Sequence, residues 1–191
     1  MLTAVAFSPD GTTVAGATIN SRTKGGIVRL WDLPGTPGPR LPRRAPLLRE
    51  RCTLGGHDDE IRDLAFSPDG TLAATASADR TARIWTVADG RSQSVPFGHD
   101  GPVDAVAFFP DGKALMTSSP DGLVHLLDIA AGTTRAHLAI LDDGGIATLL
   151  PDGSYGLDGD PGDRLWWAIK LCRFDPGELD PYVPEINLLA R

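Results

Sequence analysis

A Pro-Asp-Gly turn recurs along the chain, and this repetition constrains the fold more than any other feature. The tripeptide begins at Pro9, Pro68, Pro110 and Pro151, so the intervals are 59, 42 and 41 residues. A period of about 40 to 45 residues is typical of arrays of small four-stranded sheets, and an insertion accounts for the longer first interval. The sequence therefore predicts four repeating units in one continuous assembly rather than independent domains.

Residues 56–89 show what one unit contains. Three short runs of alternating apolar and polar residues, 61–66, 72–77 and 81–87, are separated by Ser, Pro, Asp and Gly. This pattern is typical of an antiparallel three-stranded meander. A single meander of this size cannot bury its apolar face, so each unit needs neighbours of the same kind.

Three further signals recur in register. A Gly-His pair precedes the first strand, an AFSPDG or AFFPDG turn follows it, and a short motif ends the third strand. The dipeptides are Gly56-His57, Gly98-His99, Trp31-Asp32, Trp85-Thr86 and Leu127-Asp128. On these residues the chain resembles the WD-repeat β-propeller family, from Thr3 to about Arg173. The resemblance implies an all-β fold of about four blades, each a four-stranded antiparallel sheet, completed by self-association or by a larger propeller.

The repeat predicts the domain organisation. Blade 1 covers residues 1–55 and carries a Pro/Arg-rich insertion at 33–51; blades 2, 3 and 4 cover 56–97, 98–139 and 140–173; a C-terminal cap covers 174–191. The third strand of blade 4 is expected at 165–171, with Trp166 and Trp167 on opposite faces. This ending resembles the C-terminal repeats of large bacterial signalling and defence-type propeller proteins.

The insertion in blade 1 is rich in proline, which forbids a regular helix or a central strand. We expect it to project as a basic tongue carrying Arg40, Arg43, Arg44, Arg49 and Arg51. These arginines could contact an anionic partner or the acidic loops of a second copy. The alternative is a solvated, flexible loop.

The family resemblance implies a structural hydrogen-bond network in blade 2, formed by His57, Ser77, Asp79 and Trp85. Buried indole, hydroxyl and imidazole groups are costly unless they pair with one another. A His beside an Asp and a Ser also suggests a hydrolase triad, but the chain has no GxSxG motif, and we expect no enzymatic activity. The 42-residue offset places His99, Ser119, Asp121 and Leu127 at the matching positions of blade 3.

Strand alternation indicates a partner-binding face. The Gly-His loops and the loops around Asp79 and Asp121 emerge at one end of the blades, which in the resembling family commonly receives partners. Matching positions are Asp59, Arg62, Arg80, Asp100 and Asp104. Their mixed charge favours a protein or peptide partner, so the function expected is a non-catalytic scaffold or sensor. The alternative is a structural unit in which two four-blade chains form an eight-bladed homodimer.

Composition narrows the class of partner. The net charge of -7 disfavours nucleic acid or an anionic membrane, because phosphate binding needs a basic surface. Cys52 and Cys172 belong to no CxxC pair, and no apolar run approaches the ~20 residues of a membrane span. We expect a cytoplasmic protein without a cofactor. Fifteen arginines against three lysines point to a GC-rich bacterial genome.

Three other groups of residues are candidate sites. Asp158, Asp160 and Asp163 suggest calcium, since hard cations bind clustered carboxylates, but Asp, Gly and Pro are also ordinary turn residues, and no metal site is predicted. His125 and His137 are expected to be isolated on strands. Cys172 is expected to be inert packing.

Overall fold

The protein is an assembly of antiparallel β-sheets, described here from a computed structural model. The structure describes residues 2–19, 25–33, 48–93, 97–120, 122–141 and 144–158, and the backbone of Trp167–Ile169 and Cys172–Phe174. The strands are β1 (Leu2–Phe7), β2 (Thr13–Ile19), β3 (Gly26–Asp32), β4 (Arg49–Gly55), β5 (Ile61–Phe66), β6 (Leu72–Ser77), β7 (Thr81–Thr86), β8 (Phe97–Gly98), β9 (Ala105–Phe108), β10 (Ala114–Ser118), β11 (Leu123–Asp128), β12 (Thr133–Ile140), β13 (Ile146–Leu149), β14 (Tyr155–Asp158), β15 (Trp167–Ile169) and β16 (Cys172–Phe174).

The first two sheets are four-stranded meanders with the orders β1-β2-β3-β4 and β5-β6-β7-β8. The recurring turn closes their first hairpins. In the second sheet the Ser67 hydroxyl donates to the Asp69 carboxylate at 2.6 Å, and the same carboxylate accepts the Thr71 amide hydrogen at 3.0 Å. Gly70 follows at φ 72°, in the left-handed region that glycine adopts at little cost. The Pro-Asp-Gly signal is therefore a self-bonded turn.

The end of the predicted tongue is a strand. Arg49 and Arg51 lie in β4, which pairs with β3 as the outer strand of the first sheet, so they do not belong to a projecting loop. The Arg51 Nε atom lies 2.6 Å from an Asp32 carboxylate oxygen on β3. Arg40, Arg43 and Arg44 lie outside the described residues.

A separate fourth blade was predicted, but strands β13 and β14 continue the third sheet, whose order is β14-β13-β12-β11-β10-β9. The physical reason lies in the connection from β12 to β13. Ile140 stands where the second and third repeats have His57 and His99, since each of the three lies 11 residues before the proline of its Pro-Asp-Gly turn, so no imidazole ties this connection to a blade. Instead the Leu141 amide donates to the Gly145 carbonyl at 2.9 Å and closes a hairpin.

Of the strand predicted at residues 165–171, the structure describes Trp167–Ile169 as β15. Strand β15 pairs antiparallel with β16, with Ile169 opposite Cys172. Trp166 and the predicted cap at 174–191, apart from Phe174, lie outside the described residues.

The sheets stack face to face, and each has two different faces. We call the face towards the next sheet the front face and the face towards the preceding sheet the rear face. The front face of the first sheet holds small and aliphatic residues, and the rear face of the second holds larger ones. One apolar cluster joins Ala4, Ala6, Ala15, Ala17, Val28 and Leu30 to Ile61, Leu64, Phe66 and Trp85.

The second and third sheets repeat this contact. The front face of the second sheet and the rear face of the third form a cluster that contains Ala65, Ala74, Ala76, Ala82, Ile84, Val103, Val106, Phe108, Leu115 and Leu127. A polar contact supports it, because the Val106 amide donates to the Asp63 carboxylate at 3.0 Å. The stack therefore uses the same kind of interface twice.

Candidate functional site

A chain of buried hydrogen bonds lies inside the second sheet. The indole Nε1–H of Trp85 donates to the Thr75 hydroxyl oxygen at 2.9 Å. His57 Nε2 lies 2.7 Å from the same hydroxyl, and His57 Nδ1 lies 2.7 Å from the Asp79 carboxylate. The structure thus brings His57, Asp79 and Trp85 together, but through Thr75, which links strand β7 to the loop before β5.

The partners assign the histidine tautomer. A carboxylate can only accept, so the proton is on His57 Nδ1, and Nε2 accepts the hydrogen of the Thr75 hydroxyl. Burial raises the pKa of Asp79, but hydrogen bonds from His57, the Thr81 hydroxyl and the Asp58 amide outweigh this and hold the pKa well below its usual range. Asp79 is therefore ionised at neutral pH.

Ser77 lies at the edge of this chain rather than within it. Its hydroxyl donates to the Glu60 carbonyl at 2.9 Å and accepts the Asp79 amide hydrogen at 3.2 Å. Ser77 thus holds two loops together without contacting the imidazole. Sequence reasoning missed Thr75 and Thr81, the second of which donates to Asp79 at 2.6 Å. A signal for Thr75 existed, because Thr117 recurs 42 residues later.

The arrangement of hydroxyl, imidazole and carboxylate has the order of a nucleophilic triad, but its surroundings exclude that chemistry. The His57 side chain and Thr75 are 0% exposed, so no substrate can reach the hydroxyl. The Thr75 oxygen also already accepts the indole hydrogen. The group holds the blade together, and what reaches solvent is the loop surface above it.

The third sheet keeps only part of this network. His99 Nε2 lies 3.2 Å from the Thr117 hydroxyl, while Leu127 replaces the indole and Asp121 lies outside the described residues. Ser119 is buried, at 8% exposure.

The two histidines expected to be isolated are not. His125 and His137 are cross-strand partners on β11 and β12, with ring centroids 4.6 Å apart, and His99 packs on His125 at 4.3 Å. The expectation failed because the repeat offset does not show the register in which β12 pairs with β11.

The loop surface gathers the residues expected to contact a partner. Asp59, Arg62, Arg80, Asp100 and Asp104 all lie at the end of the stack where the His57 and His99 loops emerge, and all are exposed. Backbone hydrogen bonds join these loops: the Ala78 amide donates to the Glu60 carbonyl at 2.8 Å, and the His99 amide to the Arg80 carbonyl at 2.9 Å. Arg62 forms an ion pair with Asp104 across the second and third sheets.

Arg80 has an unusual backbone. Its φ is 68°, and it is the non-glycine residue with positive φ among those the structure describes. A long side chain in the left-handed region costs about 1 kcal/mol or more. The chain therefore keeps an exposed cation at a position where glycine would be less strained.

The remaining candidates form no site in the described part of the chain. Asp158 is exposed at the end of β14, and Asp160 and Asp163 lie outside the described residues. The structure shows no group of three His, Cys, Asp or Glu side chains placed to hold a metal within those residues. Burial raises the pKa of the Cys52 thiol, while the side chain of Cys172 lies outside the description. The same residues include no helix long and apolar enough to cross a membrane.

Stacked antiparallel sheets, two of them four-stranded, with a His–Thr–Trp network inside the second sheet define a β-repeat protein of the propeller-blade class. A sequence model of the WD domain, G-beta repeat (WD40), matches residues 2–32, 48–86 and 90–128, more than half of the chain. The chain belongs to the WD40 repeat family.

Individual relatives are similar over short stretches. Protein Mut11 of Chlamydomonas reinhardtii is 47% identical over 24% of this chain and 13% of its own length. A U4/U6 small nuclear ribonucleoprotein PRP4-like protein of Arabidopsis thaliana is 34% identical over 44% of the chain and 12% of its own. WD repeat-containing protein SL1-17 of Schistosoma mansoni is 34% identical over 46% of this chain and 23% of its own length. The chain spans less than a quarter of each relative. All three relatives come from eukaryotes, so they do not support the bacterial origin predicted from the sequence.

Proposed function

We propose that this chain is a non-catalytic scaffold or sensor module that binds a protein or peptide through the loop surface around Arg80. WD40 repeats in general mediate protein–protein interaction. The observation that carries the proposal is the exposed, strained Arg80 on loops that are hydrogen-bonded to one another and anchored by the buried His57–Asp79 pair. A rigid platform of this kind loses little conformational entropy on binding.

The charges of this surface favour a polypeptide partner. Two arginines and three aspartates lie together on the loops, and one of each already forms the Arg62–Asp104 pair. Mixed charge provides specificity towards a partner with complementary mixed charge rather than towards a polyanion.

A pull-down with the purified full chain as bait tests the proposal. We expect Arg80→Glu to weaken capture of the bound protein at least about tenfold, because it reverses a central exposed charge, and Arg80→Lys to retain most of it. Arg91→Glu is the matched control, since Arg91 is exposed at the opposite loop end. Equal recovery with Arg80→Glu and Arg91→Glu would reject this surface.

The setting of the module is a further part of the proposal. The two distant cysteines and the excess of arginine support a reduced bacterial cytoplasm and a place in a larger signalling or defence-type protein. Fractionation of source cells, followed by detection of the native chain, tests the location. Recovery from the periplasm or the medium would contradict it.

A second function, structural self-assembly into a two-chain propeller, has its own support. Large apolar side chains remain exposed at both ends of the sheet stack, as they would in a unit that is completed by another copy.

A further inference from the structure

The exposed large apolar side chains are concentrated on the two end faces of the stack. On the rear face of the first sheet, Leu2, Val5 and Phe7 are 58%, 58% and 63% exposed. At the other end, Ile140 and Ile146 are 61% and 45% exposed. Scattered single residues of this kind are ordinary, whereas contiguous groups mark a contact surface.

The internal repeat shows what covers such a rear face. At an offset of 59 residues, Leu2, Val5 and Phe7 correspond to Ile61, Leu64 and Phe66. Ile61 and Leu64 are 1% and 5% exposed, and Phe66 packs with them against the alanines on the front face of the first sheet. The rear face of the first sheet therefore has the composition of a surface that elsewhere in this chain meets a front face.

The third sheet offers a partly exposed front face of matching chemistry, on which Ala107 is exposed and Met116 and Leu126 are half-buried. Its strand pairing places Ala107, Met116 and Leu126 in one row across β9, β10 and β11. Ile140, at the end of β12, pairs with Ile146, at the start of β13, on the same face. Small residues at one side and aliphatic residues at the other repeat the character of the two front faces that are already covered.

We propose that the rear face of the first sheet docks on the front face of the third sheet of a second copy of this chain, and reciprocally, so that two copies close a ring. This rests on the self-assembly function proposed above and names its two surfaces. The contact joins different patches, and a two-fold arrangement satisfies both patches of both copies, which prevents open-ended growth. Each copy carries a charge of -7, so association strengthens as salt screens the repulsion.

Sedimentation equilibrium of the full chain tests the proposal with two double variants, V5E/F7E on the rear face and I140E/I146E on the front face. The wild type is expected to be a dimer. Each double variant damages both contacts of its homodimer and should raise the dimer dissociation constant about tenfold or more. Ala88→Glu, in an exposed turn away from both faces, is the control and should leave the dimer unchanged.

Mixing the two double variants is the decisive arm. The mixed dimer keeps one undamaged contact, formed by the intact front face of one variant and the intact rear face of the other, so the mixture should dimerise more tightly than either variant alone. The proposal is overturned if the wild type is a monomer, or if the mixture dimerises no more tightly than either variant alone. The two end faces would then be covered by a blade of another chain. Trp85 fluorescence reports whether each variant is folded.

The outcome is independent of the partner-binding surface. If the wild type dimerises and Arg80→Glu captures as much protein as Arg91→Glu, only partner binding at the loop surface is rejected. If the wild type is a monomer and Arg80→Glu weakens capture of the partner, only the docking of two copies is rejected.

Discussion

At the scale of single residues, Thr75 joins the polar interior of the second sheet. Its hydroxyl accepts from the Trp85 indole and donates to His57, and it is fully buried. Removing this one oxygen leaves two buried polar groups without their partner. The cost of each such group is about 1 to 3 kcal/mol.

We therefore expect Thr75→Val, which keeps the side-chain shape, to lower the free energy of unfolding by about 2 to 4 kcal/mol. Thr117→Val is the matched control in the third sheet, where the hydroxyl meets His99 but Leu127 offers no indole, and it should cost about 1 kcal/mol. Urea unfolding of both variants provides the measurement. Equal losses would show that the indole contact adds nothing.

Asp79 gives the second sheet an acid-sensitive contribution to stability. Its pKa is lowered in the folded chain from the ordinary value of 3.8, so folding favours the ionised carboxylate. This contribution is complete above the unfolded pKa and is lost as the pH falls through the folded one. The gap in unfolding free energy between the wild type and Asp79→Asn should therefore narrow from pH 7 to pH 3. A gap that stays constant would contradict the assigned ionisation.

At this scale the sequence predicted part of the network. His57, Asp79 and Trp85 stand out because their side chains are chemically conspicuous and belong to recurring motifs. Thr75 and Thr81 do not, because threonine is common in strands for its β-branched shape alone. Only cross-strand pairing shows which hydroxyl faces the indole and which, like that of Ser77, faces a loop carbonyl.

At the scale of the strands, the junction of the first two sheets depends on a glycine. The Gly26 amide donates to the Asp59 carbonyl at 2.8 Å. A Cβ atom at Gly26 would lie 2.5 Å from Ile61 Cγ1 and 2.7 Å from that same carbonyl oxygen. Any larger residue at this position must push β3 away from the chain entering β5.

Gly26→Ala should accordingly reduce the free energy of unfolding by about 1 to 3 kcal/mol through overpacking. Gly98→Ala is the control, because a Cβ there meets no atom within 4 Å, and the change should stay within about 0.5 kcal/mol. Thermal or urea unfolding distinguishes the two variants. A neutral Gly26→Ala would show that the two sheets are not packed this closely.

The strand positions illustrate what a sequence pattern can establish. Strands β5 and β6 coincide with the alternating runs predicted at 61–66 and 72–77, although β6 is buried on both faces. The sequence could not show that β13 pairs with β12 edge to edge. A period-two pattern describes the two faces of a strand and is silent about its neighbour.

At the scale of the whole molecule, the chain is a stack of WD40 sheets with a loop surface at one end of the strands. Two equivalent interfaces hold the stack, and the loop surface combines Arg80 with exposed aspartates above the buried network. The acidic composition predicted that the partner is not a nucleic acid. The sequence could not predict that Arg80 lies next to the His99 loop, because this proximity is seen only in the backbone hydrogen bond from the His99 amide to the Arg80 carbonyl, at 2.9 Å.

The central claim is that a protein partner binds this loop surface, and site-specific photo-crosslinking tests it most directly. A photo-reactive phenylalanine analogue replaces Asp100, which is exposed on the loop surface, or Ala88, which is exposed at the opposite end of the strands. The full chain is irradiated in source-cell lysate, and cross-linked proteins are identified by mass spectrometry. The account predicts a discrete partner adduct from position 100 that is absent from position 88. Adducts of equal yield from both positions, or from position 88 alone, would contradict it.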